Sequence, residues 1–204
     1  ILSKKIDVAA KNKAVDDEAT HLIHTIQIFL QRFKAEKKKA LEQKLEEKLK
    51  SFMHKSDFVH KVIVDIQGNG EDVDINLYDS HNKKIDKGNL SMGEKQLFAS
   101  ALLGALVEET QLEFPVFIDS PMQKLDPNHS KNILTKFYPT VSKQVVFFPL
   151  LMKELTEDKY FLIKDITSKT YLIQNDNDAS HFVEVDPYEL FEAYNNANPN
   201  AKNN

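Results

Sequence analysis

The sequence contains no cysteine and very little glycine. Of its 204 residues, none is cysteine and five are glycine. The absence of cysteine excludes disulfides, thiolate metal sites and cysteine nucleophiles. The scarcity of glycine leaves few positions for a glycine-rich loop that cradles phosphate groups. Any phosphate-binding segment must therefore be sought at a small number of places.

Long hydrophobic runs are also missing. No run reaches the roughly 18–20 apolar residues that a membrane span requires, and no charged-then-apolar secretory leader is present. Hydrophobic residues make up 41% of the chain and charged residues 28%, which suffices for a core and a solvated surface. The net charge of −4 argues against a protein coated all over by nucleic acid, but it leaves room for a local basic face. We expect a cytoplasmic protein with no membrane partner.

The first fifty-odd residues contain neither proline nor glycine, and their apolar residues recur at three- and four-residue steps. This spacing is typical of an amphipathic helix or a coiled-coil seam. The periodic stretch is longer than the mean globular helix of about 11–12 residues, so we predict the end of a coiled-coil arm over residues 1–56. A long surface helix of a globular domain is the alternative. The apolar residues form two stripes, Leu22, Ile26, Phe29 and Phe33, then Leu41, Leu45, Leu49 and Phe52.

Residues 57–186 have the pattern of an α/β lobe. Two alternating segments, 62–66 and 73–77, flank a glycine-containing turn at 67–70 and predict a β-hairpin with one buried face. Two short apolar runs, 114–119 and 144–148, flank a helical stretch at 127–137. Strands of this kind are typical of a parallel sheet that is covered on both faces.

The last third of the chain reads as a helix, two late strands and a polar end. We predict the helix over 156–166 and the strands near 170–173 and 182–185. Residues 187–204 are predicted as a C-terminal helix and a disordered tail, because 195–204 are almost entirely Asn, Ala, Pro and Lys.

One pair of glycines has the spacing of a P-loop but not its other residues. Gly88 and Gly93 lie five residues apart, whereas the P-loop pattern requires lysine directly after the second glycine. Glu94 occupies that place, and its carboxylate would repel phosphate. Lys95 comes one residue late, and no apolar strand leads into Gly88. We therefore reject a P-loop in this segment.

The same segment begins a predicted helix, and the N-terminus of that helix can bind a phosphate group that another molecule presents. Ser91 and Glu94 have the spacing of a capping box, so Ser91 is predicted as the N-cap. The free N–H groups and positive dipole at such a helix start attract anions. Residues 90–96, Leu-Ser-Met-Gly-Glu-Lys-Gln, resemble the signature motif of ABC-type ATPases in the form found in SMC-like proteins. The resemblance implies that ATP presented by another subunit binds at Ser91, Gly93, Glu94, Lys95 and Gln96.

Two further motifs follow in the order that an ABC ATPase requires. Residues 116–119 resemble the Walker B strand, which ends in an Asp that holds Mg²⁺ through water; here that residue is Asp119. Leu125 and Asp126 stand in the place of the D-loop. Taken alone, an apolar run ending in Asp is a weak signal. The three motifs in this order, behind a coiled-coil-like helix, are much more specific.

Two departures from the family pattern bear on hydrolysis. Typical members carry Glu directly after the Walker B Asp as the general base, but this chain carries Ser120. Three alternatives stay open: Asp126 orients the attacking water, Gln123 does so, or the base lies elsewhere. The strand ending at Phe148 also leads into Pro149 rather than toward a switch His. We therefore expect slow turnover, with ATP acting mainly to hold two heads together.

Two SMC-like groups share finer features with the chain. Residues 119–126 are similar to DndD, the SMC-like ATPase of DNA phosphorothioation systems. Residues 182–186 resemble the end of LmuB, the SMC-like subunit of Lamassu anti-phage systems. The sequence does not separate the two, so both remain open.

The resemblance implies the C-terminal lobe of an SMC-like head and the end of its returning arm. Its partners would be an N-terminal P-loop lobe of the same protein, a second head, DNA, and defence or modification proteins, with ATP and Mg²⁺ as cofactors. A basic arm face toward DNA and a merely solvated face are equally compatible with the arm lysines, Lys34, Lys37, Lys38, Lys39, Lys44, Lys48 and Lys50. The competing hypothesis is a non-catalytic coiled-coil interaction module that retains a degenerate ATPase lobe.

Overall fold

A computed structural model describes residues 2–53, 59–68, 72–110, 113–176 and 179–199. The chain opens with one 51-residue helix, α1 (Leu2–Phe52), and continues into small sheets and shorter helices. Within those residues, no helix has both the length and the apolar character needed to cross a membrane.

The two halves of α1 have opposite surroundings. The second stripe is buried: Leu45 and Leu49 are fully inaccessible and belong to the main hydrophobic core. The first stripe lies in solvent, with Phe29 exposed at 64%. From residue 15, where side-chain exposure is described, the helix therefore first runs through solvent and then ends as part of the core. The division at residue 56 stays a prediction. The exposed large apolar residues described in this part of the helix are Val15, Leu22, Ile23, Ile26, Ile28, Phe29, Leu30 and Phe33.

The predicted hairpin is present as β1 (Lys61–Gln67) and β2 (Asp72–Tyr78), and β3 (Lys84–Ile85) adds a short third strand. Val62 pairs with Leu77 and Val64 with Ile75 in antiparallel register. Carboxylates of α1 bind the free edge of β1, because the N–H groups of Val62 and Val64 donate to Glu46 and Glu42 at 2.7 and 2.8 Å. Part of turn 67–70 lies outside the described residues, and the outer end of the hairpin is exposed at Ile66 and Val73.

A parallel pair of strands forms the second sheet. It consists of β4 (Val116–Asp119) and β5 (Val145–Phe148), and α2 (Met92–Thr110) precedes it along the chain. Between the strands run α3 (Pro127–Asn132), a π-helical turn (Ile133–Phe137) and α4 (Tyr138–Val141).

The prediction that this sheet is covered on both faces is wrong for the described residues. Val116 is buried, but Phe117 is exposed at 64% because its side chain points to the opposite face of the strand. Only two strands are paired, and within the described part of the chain no layer covers Phe117.

The C-terminal part contains α5 (Glu157–Phe161), a 3₁₀ turn (Lys164–Ile166), β6 (Thr170–Asp176), β7 (Ala179–Val185) and α6 (Leu190–Ala197). The predicted helix over 156–166 is therefore interrupted. Strands β6 and β7 form an antiparallel hairpin. The predicted disorder is wrong for 195–197, because α6 packs Leu190 and Phe191 into the core and continues to Ala197. Residues 200–204 lie outside the described residues.

Candidate functional site

The start of α2 carries the predicted capping box. The N–H of Ser91 donates to Glu94 Oε2 at 2.8 Å, and the N–H of Glu94 donates to Ser91 Oγ at 3.2 Å. The prediction is confirmed by this reciprocal pair. The Ser91 hydroxyl accepts a bond here, so its own proton remains able to donate to a ligand. Met92, in the first turn, is 60% exposed, and this end of the helix faces solvent.

The other polar residues of the motif are engaged inside the chain. The carboxylate of Glu94 accepts the Ser91 N–H in the capping box. Lys95 Nζ donates to the carbonyl of Gly88 at 3.1 Å and fastens the helix to the turn before it. That turn is a 3₁₀ segment capped by Asp86, whose side chain accepts from the Gly88 N–H.

Gly93 brings α2 against the loop that follows β4. A Cβ atom at this position would lie 2.7 Å from the carbonyl oxygen of Lys124, which is closer than real Cβ contacts. Only glycine therefore permits the observed approach. Gln96, one turn further along α2, donates from Nε2 to the Ser120 carbonyl at 3.1 Å and accepts from the Lys124 N–H at 3.2 Å.

Asp119 and Ser120 stand at the carboxyl end of the parallel pair. Asp119 pairs with Phe148 in the parallel register of β4 and β5, and Asp119 is exposed to solvent. Ser120 has φ of +49°, a left-handed conformation that is uncommon for a residue other than glycine. Its N–H donates to the Phe148 carbonyl at 3.3 Å and its hydroxyl to Asp119 Oδ1 at 3.4 Å. The turn after β4 is thus bent sharply and tied to β5.

The loop behind this turn is supported by a buried phenol. Tyr138 Oη donates to the Pro121 carbonyl at 2.7 Å, and both residues are buried. Burial raises the pKa of Tyr138 far above its usual value, so the phenol stays protonated as a donor. Gln123, by contrast, is exposed, and its backbone N–H donates to the Ser120 carbonyl at 3.5 Å.

Asp126 caps α3 with its side chain. Oδ1 accepts from the N–H groups of Asn128 and His129 at 2.9 and 3.0 Å, and Oδ2 binds the imidazole of His129. The backbone and side-chain hydrogen bonds from His129 lower the pKa of Asp126. This carboxylate therefore orders the start of α3 and remains ionised there at neutral pH.

The described residues contain no group of three His, Cys, Asp or Glu side chains placed to hold a metal ion. Asp119 alone offers an exposed carboxylate at the end of β4, and Mg²⁺ accepts one protein carboxylate together with water and phosphate oxygens. The chain therefore fits Mg²⁺ only where a nucleotide and a second protein segment complete the ligand set.

The geometry can be compared with known structures. The chain superposes on the Smc head domain with coiled coil and joint from Pyrococcus yayanosii with a TM-score of 0.62 and 14% identity, over 93% of this chain and 36% of that one. The chain has an SMC-head-like fold. The α/β prediction, with a long helix ahead of it, is confirmed.

Two other SMC structures share the fold. One, from work on ATP-driven dimerization and DNA-stimulated activation of SMC ATPases, matches with a TM-score of 0.54 and 13% identity, over 83% of this chain and 95% of that one. The other is an SmcHead bound to the C-winged helix domain of ScpA, with a TM-score of 0.53 and 13% identity, over 76% and 45%. The chain thus spans about a third to a half of two of these three structures. The sequence matches no family model and no curated protein.

The structure brings the predicted motifs together without assigning their roles. Residues 90–96 and the turn after β4 meet through Gln96 and Gly93, while Ser91 and Asp119 keep exposed positions. Tyr138 and the backbone of Lys124, which support the loop after β4, are not among the site residues predicted from the sequence. Nothing in the local pattern marks either residue.

Proposed function

We propose that the chain is the signature-bearing lobe of an SMC-like ATPase head and that it clamps ATP held by the P-loop of a second head. One observation carries the proposal. The capped start of α2 is exposed at Ser91 and Met92, and Gly93 and Gln96 fasten it to the turn after β4 in the same lobe. An exposed helix start with unpaired N–H groups is a suitable site for a phosphate.

The geometry narrows the set of proposed ATP ligands. Glu94, Lys95 and Gln96 already have partners inside the chain, so they shape the motif. The Ser91 hydroxyl and the first-turn N–H groups that the cap does not use, those of Met92 and Gly93, are then the groups that meet the γ-phosphate. Asp119 would hold Mg²⁺ through water, in the head whose own P-loop binds that nucleotide.

Hydrolysis is proposed to be slow. Ser120 offers no carboxylate to accept a proton from water, and Asp126 is occupied as a helix cap. Gln123 is exposed and can orient water, but an amide is not a base. ATP would then act chiefly as a ligand that stabilises paired heads, so that binding and dimerisation are coupled.

The proposed partners and biological role of the chain rest on its resemblance to SMC-like proteins. The SMC structures that share the fold concern ATP-driven dimerisation, DNA-stimulated activation and, in one case, a bound ScpA domain. For this chain we propose a second copy, DNA and a companion P-loop lobe as partners, in the cytoplasm. Residues 119–126 favour a DNA-modification role of the DndD kind, and residues 182–186 favour a Lamassu-like defence role.

A second candidate is a non-catalytic interaction module. Ser120 in the place of the general base favours it, as does the lack of His directly after β5. The two candidates differ in a simple measurement, because a module with a degenerate lobe would pair its heads equally well with and without ATP.

The experiment is Ser91→Arg in the full-length protein that carries this chain. The bulky cation at the N-cap should abolish ATP-dependent dimerisation, measured by sedimentation, while ATP still binds to the single head. Ser91→Thr keeps a hydroxyl and a cap and serves as the control. Dimerisation unchanged by Ser91→Arg would contradict the assignment of the signature motif.

A further inference from the structure

The side chain of Gln96 joins two segments that are far apart in sequence. Its amide donates to the Ser120 carbonyl and accepts from the Lys124 N–H, at 3.1 and 3.2 Å. These partners lie 24 and 28 residues further along the chain. One planar amide therefore spans the loop from its first residue to its fifth.

Both ends of this bridge are structurally demanding. Ser120 adopts a left-handed φ of +49°, which costs free energy unless its surroundings hold it. On the other side, the Lys124 carbonyl lies so close to Gly93 that no side chain fits between them. The two contacts of α2 with this loop, through Gly93 and Gln96, lie on the same helix face, three residues apart.

The loop held by Gln96 connects the residues proposed to act at the nucleotide. It begins directly after Asp119 and ends directly before Asp126. Tyr138 fixes it from the opposite side through the Pro121 carbonyl. A shift of the first turns of α2 would pull on Ser120 and Lys124 through the amide, and so move the end of β4.

We propose that Gln96 is a positioning residue that couples the signature helix to the Walker B turn and the D-loop of the same lobe, rather than a nucleotide ligand. This rests on the proposed function. Both hydrogen-bonding atoms of the amide are already used inside the lobe. Phosphate binding at the start of α2 is then transmitted to Asp119 within one head.

The test compares three variants of the full-length protein. Gln96→Met keeps the length of the side chain and removes both hydrogen bonds. Gln96→Glu keeps the acceptor for the Lys124 N–H but turns a carboxylate toward the Ser120 carbonyl. Gln67→Met, at the exposed end of β1, is the matched control.

The first measurement is amide hydrogen exchange at Ser120 and at residues 122–125, because Pro121 has no amide hydrogen. In Gln96→Met these amides should exchange at least about fivefold faster, because two hydrogen bonds are lost and one ordinary bond accounts for about that factor; Gln96→Glu should fall between this variant and the wild type. Gln67→Met should match the wild type. Equal exchange in the wild type and both Gln96 variants would overturn the bridge.

The second measurement is ATP turnover and ATP-dependent dimerisation. Gln96→Met should lower kcat about tenfold with KM for ATP changed less than twofold, because a displaced reacting group affects the chemical step. If turnover in the wild type is too slow to measure, the dimerisation midpoint in ATP replaces kcat. Faster exchange with unchanged turnover and dimerisation would overturn the coupling. A wild-type protein whose dimerisation and turnover do not respond to ATP would contradict the proposed function. Amide exchange would still show whether Gln96 holds the loop.

Discussion

Lys44 Nζ in α1 lies 2.8 Å from a carboxylate oxygen of Glu109, at the opposite end of α2 from Ser91. Lys37 reaches the other oxygen of the same carboxylate at 2.8 Å. Lys48 binds the neighbouring Glu108 at 2.9 Å. The helix α2 thus joins the candidate phosphate site at one end to the arm at the other, through three lysines.

These ion pairs should make the junction of arm and head sensitive to pH. Hydrogen bonds from Lys37 and Lys44 lower the pKa of Glu109. The stabilisation is therefore complete above the usual Glu pKa of about 4.3 and is lost as the pH falls through the lower folded value. We expect Glu109→Gln to lower Tm at pH 7, with a difference from the wild type that shrinks below pH 4.

The control is Glu113→Gln, whose carboxylate pairs with Lys143 where both side chains are well exposed. Its effect on Tm should be close to zero, as for most surface pairs. A Glu109→Gln difference that stays constant from pH 7 to pH 3 would show that the ion pairs do not stabilise the junction.

Two substitutions at the N-cap Ser91 should distinguish its effect on stability from its effect on ATP-dependent pairing. Ser91→Ala should destabilise the fold by about 1 kcal/mol, because the Glu94 N–H loses its acceptor. Ser91→Asp keeps a capping oxygen and should retain most of this stability, but its charge should repel phosphate and weaken ATP-dependent pairing. Urea unfolding measures the first effect and sedimentation the second. Equal pairing by Ser91→Asp and the wild type would argue against a phosphate at this helix start.

Gly93 should tolerate no side chain. Gly93→Ala places a methyl group 2.7 Å from the Lys124 carbonyl oxygen, and the backbone must move to relieve the contact. We expect a loss of about 1–3 kcal/mol, the usual cost of overpacking, in urea unfolding. Gly88→Ala is the comparison, because its nearest neighbour is the movable Asp86 side chain at 3.1 Å. Equal losses for the two variants would mean that close packing on Lys124 is not the reason for glycine at 93.

Tyr138 should stabilise the loop after β4 through its hydroxyl. Tyr138→Phe leaves the buried Pro121 carbonyl without its donor and should cost about 1–3 kcal/mol in the free energy of unfolding. Burial raises the pKa of this phenol, so its contribution persists at neutral pH and declines only as the pH rises above about 10. Tyr188→Phe, at a phenol that is 69% exposed, should change stability by less than about 0.5 kcal/mol. Indistinguishable effects of the two substitutions would contradict the role assigned to Tyr138.

Features encoded within a few residues could be predicted from the sequence. The capping box of Ser91 and Glu94 depends on groups three residues apart, and the strand pair of Val62 with Leu77 follows from alternation around one turn. The order of the three motifs likewise indicated the α/β architecture. Each of these signals lies in a local spacing.

Features that depend on distant segments could not be predicted. The Gln96 amide meets Ser120 across 24 residues, and Lys37 meets Glu109 across 72. The exposure of Phe117 depends on which layer covers the strand, and an apolar run does not carry that information. The π-helical turn at 133–137 lies within a helical periodicity that resembles that of an α-helix.

In the proposed function, the start of α2 meets the nucleotide of another head, and the absence of cysteine from this chain allows a direct test. Met92→Cys introduces a single thiol into this chain at a position 60% exposed beside Ser91. In the full-length protein, a second thiol placed beside the P-loop lysine completes a pair for a short bismaleimide. We expect a cross-linked dimer that forms with ATP and Mg²⁺ and disappears in Ser91→Arg. No dimer with ATP, or the same yield without it, would contradict the claim.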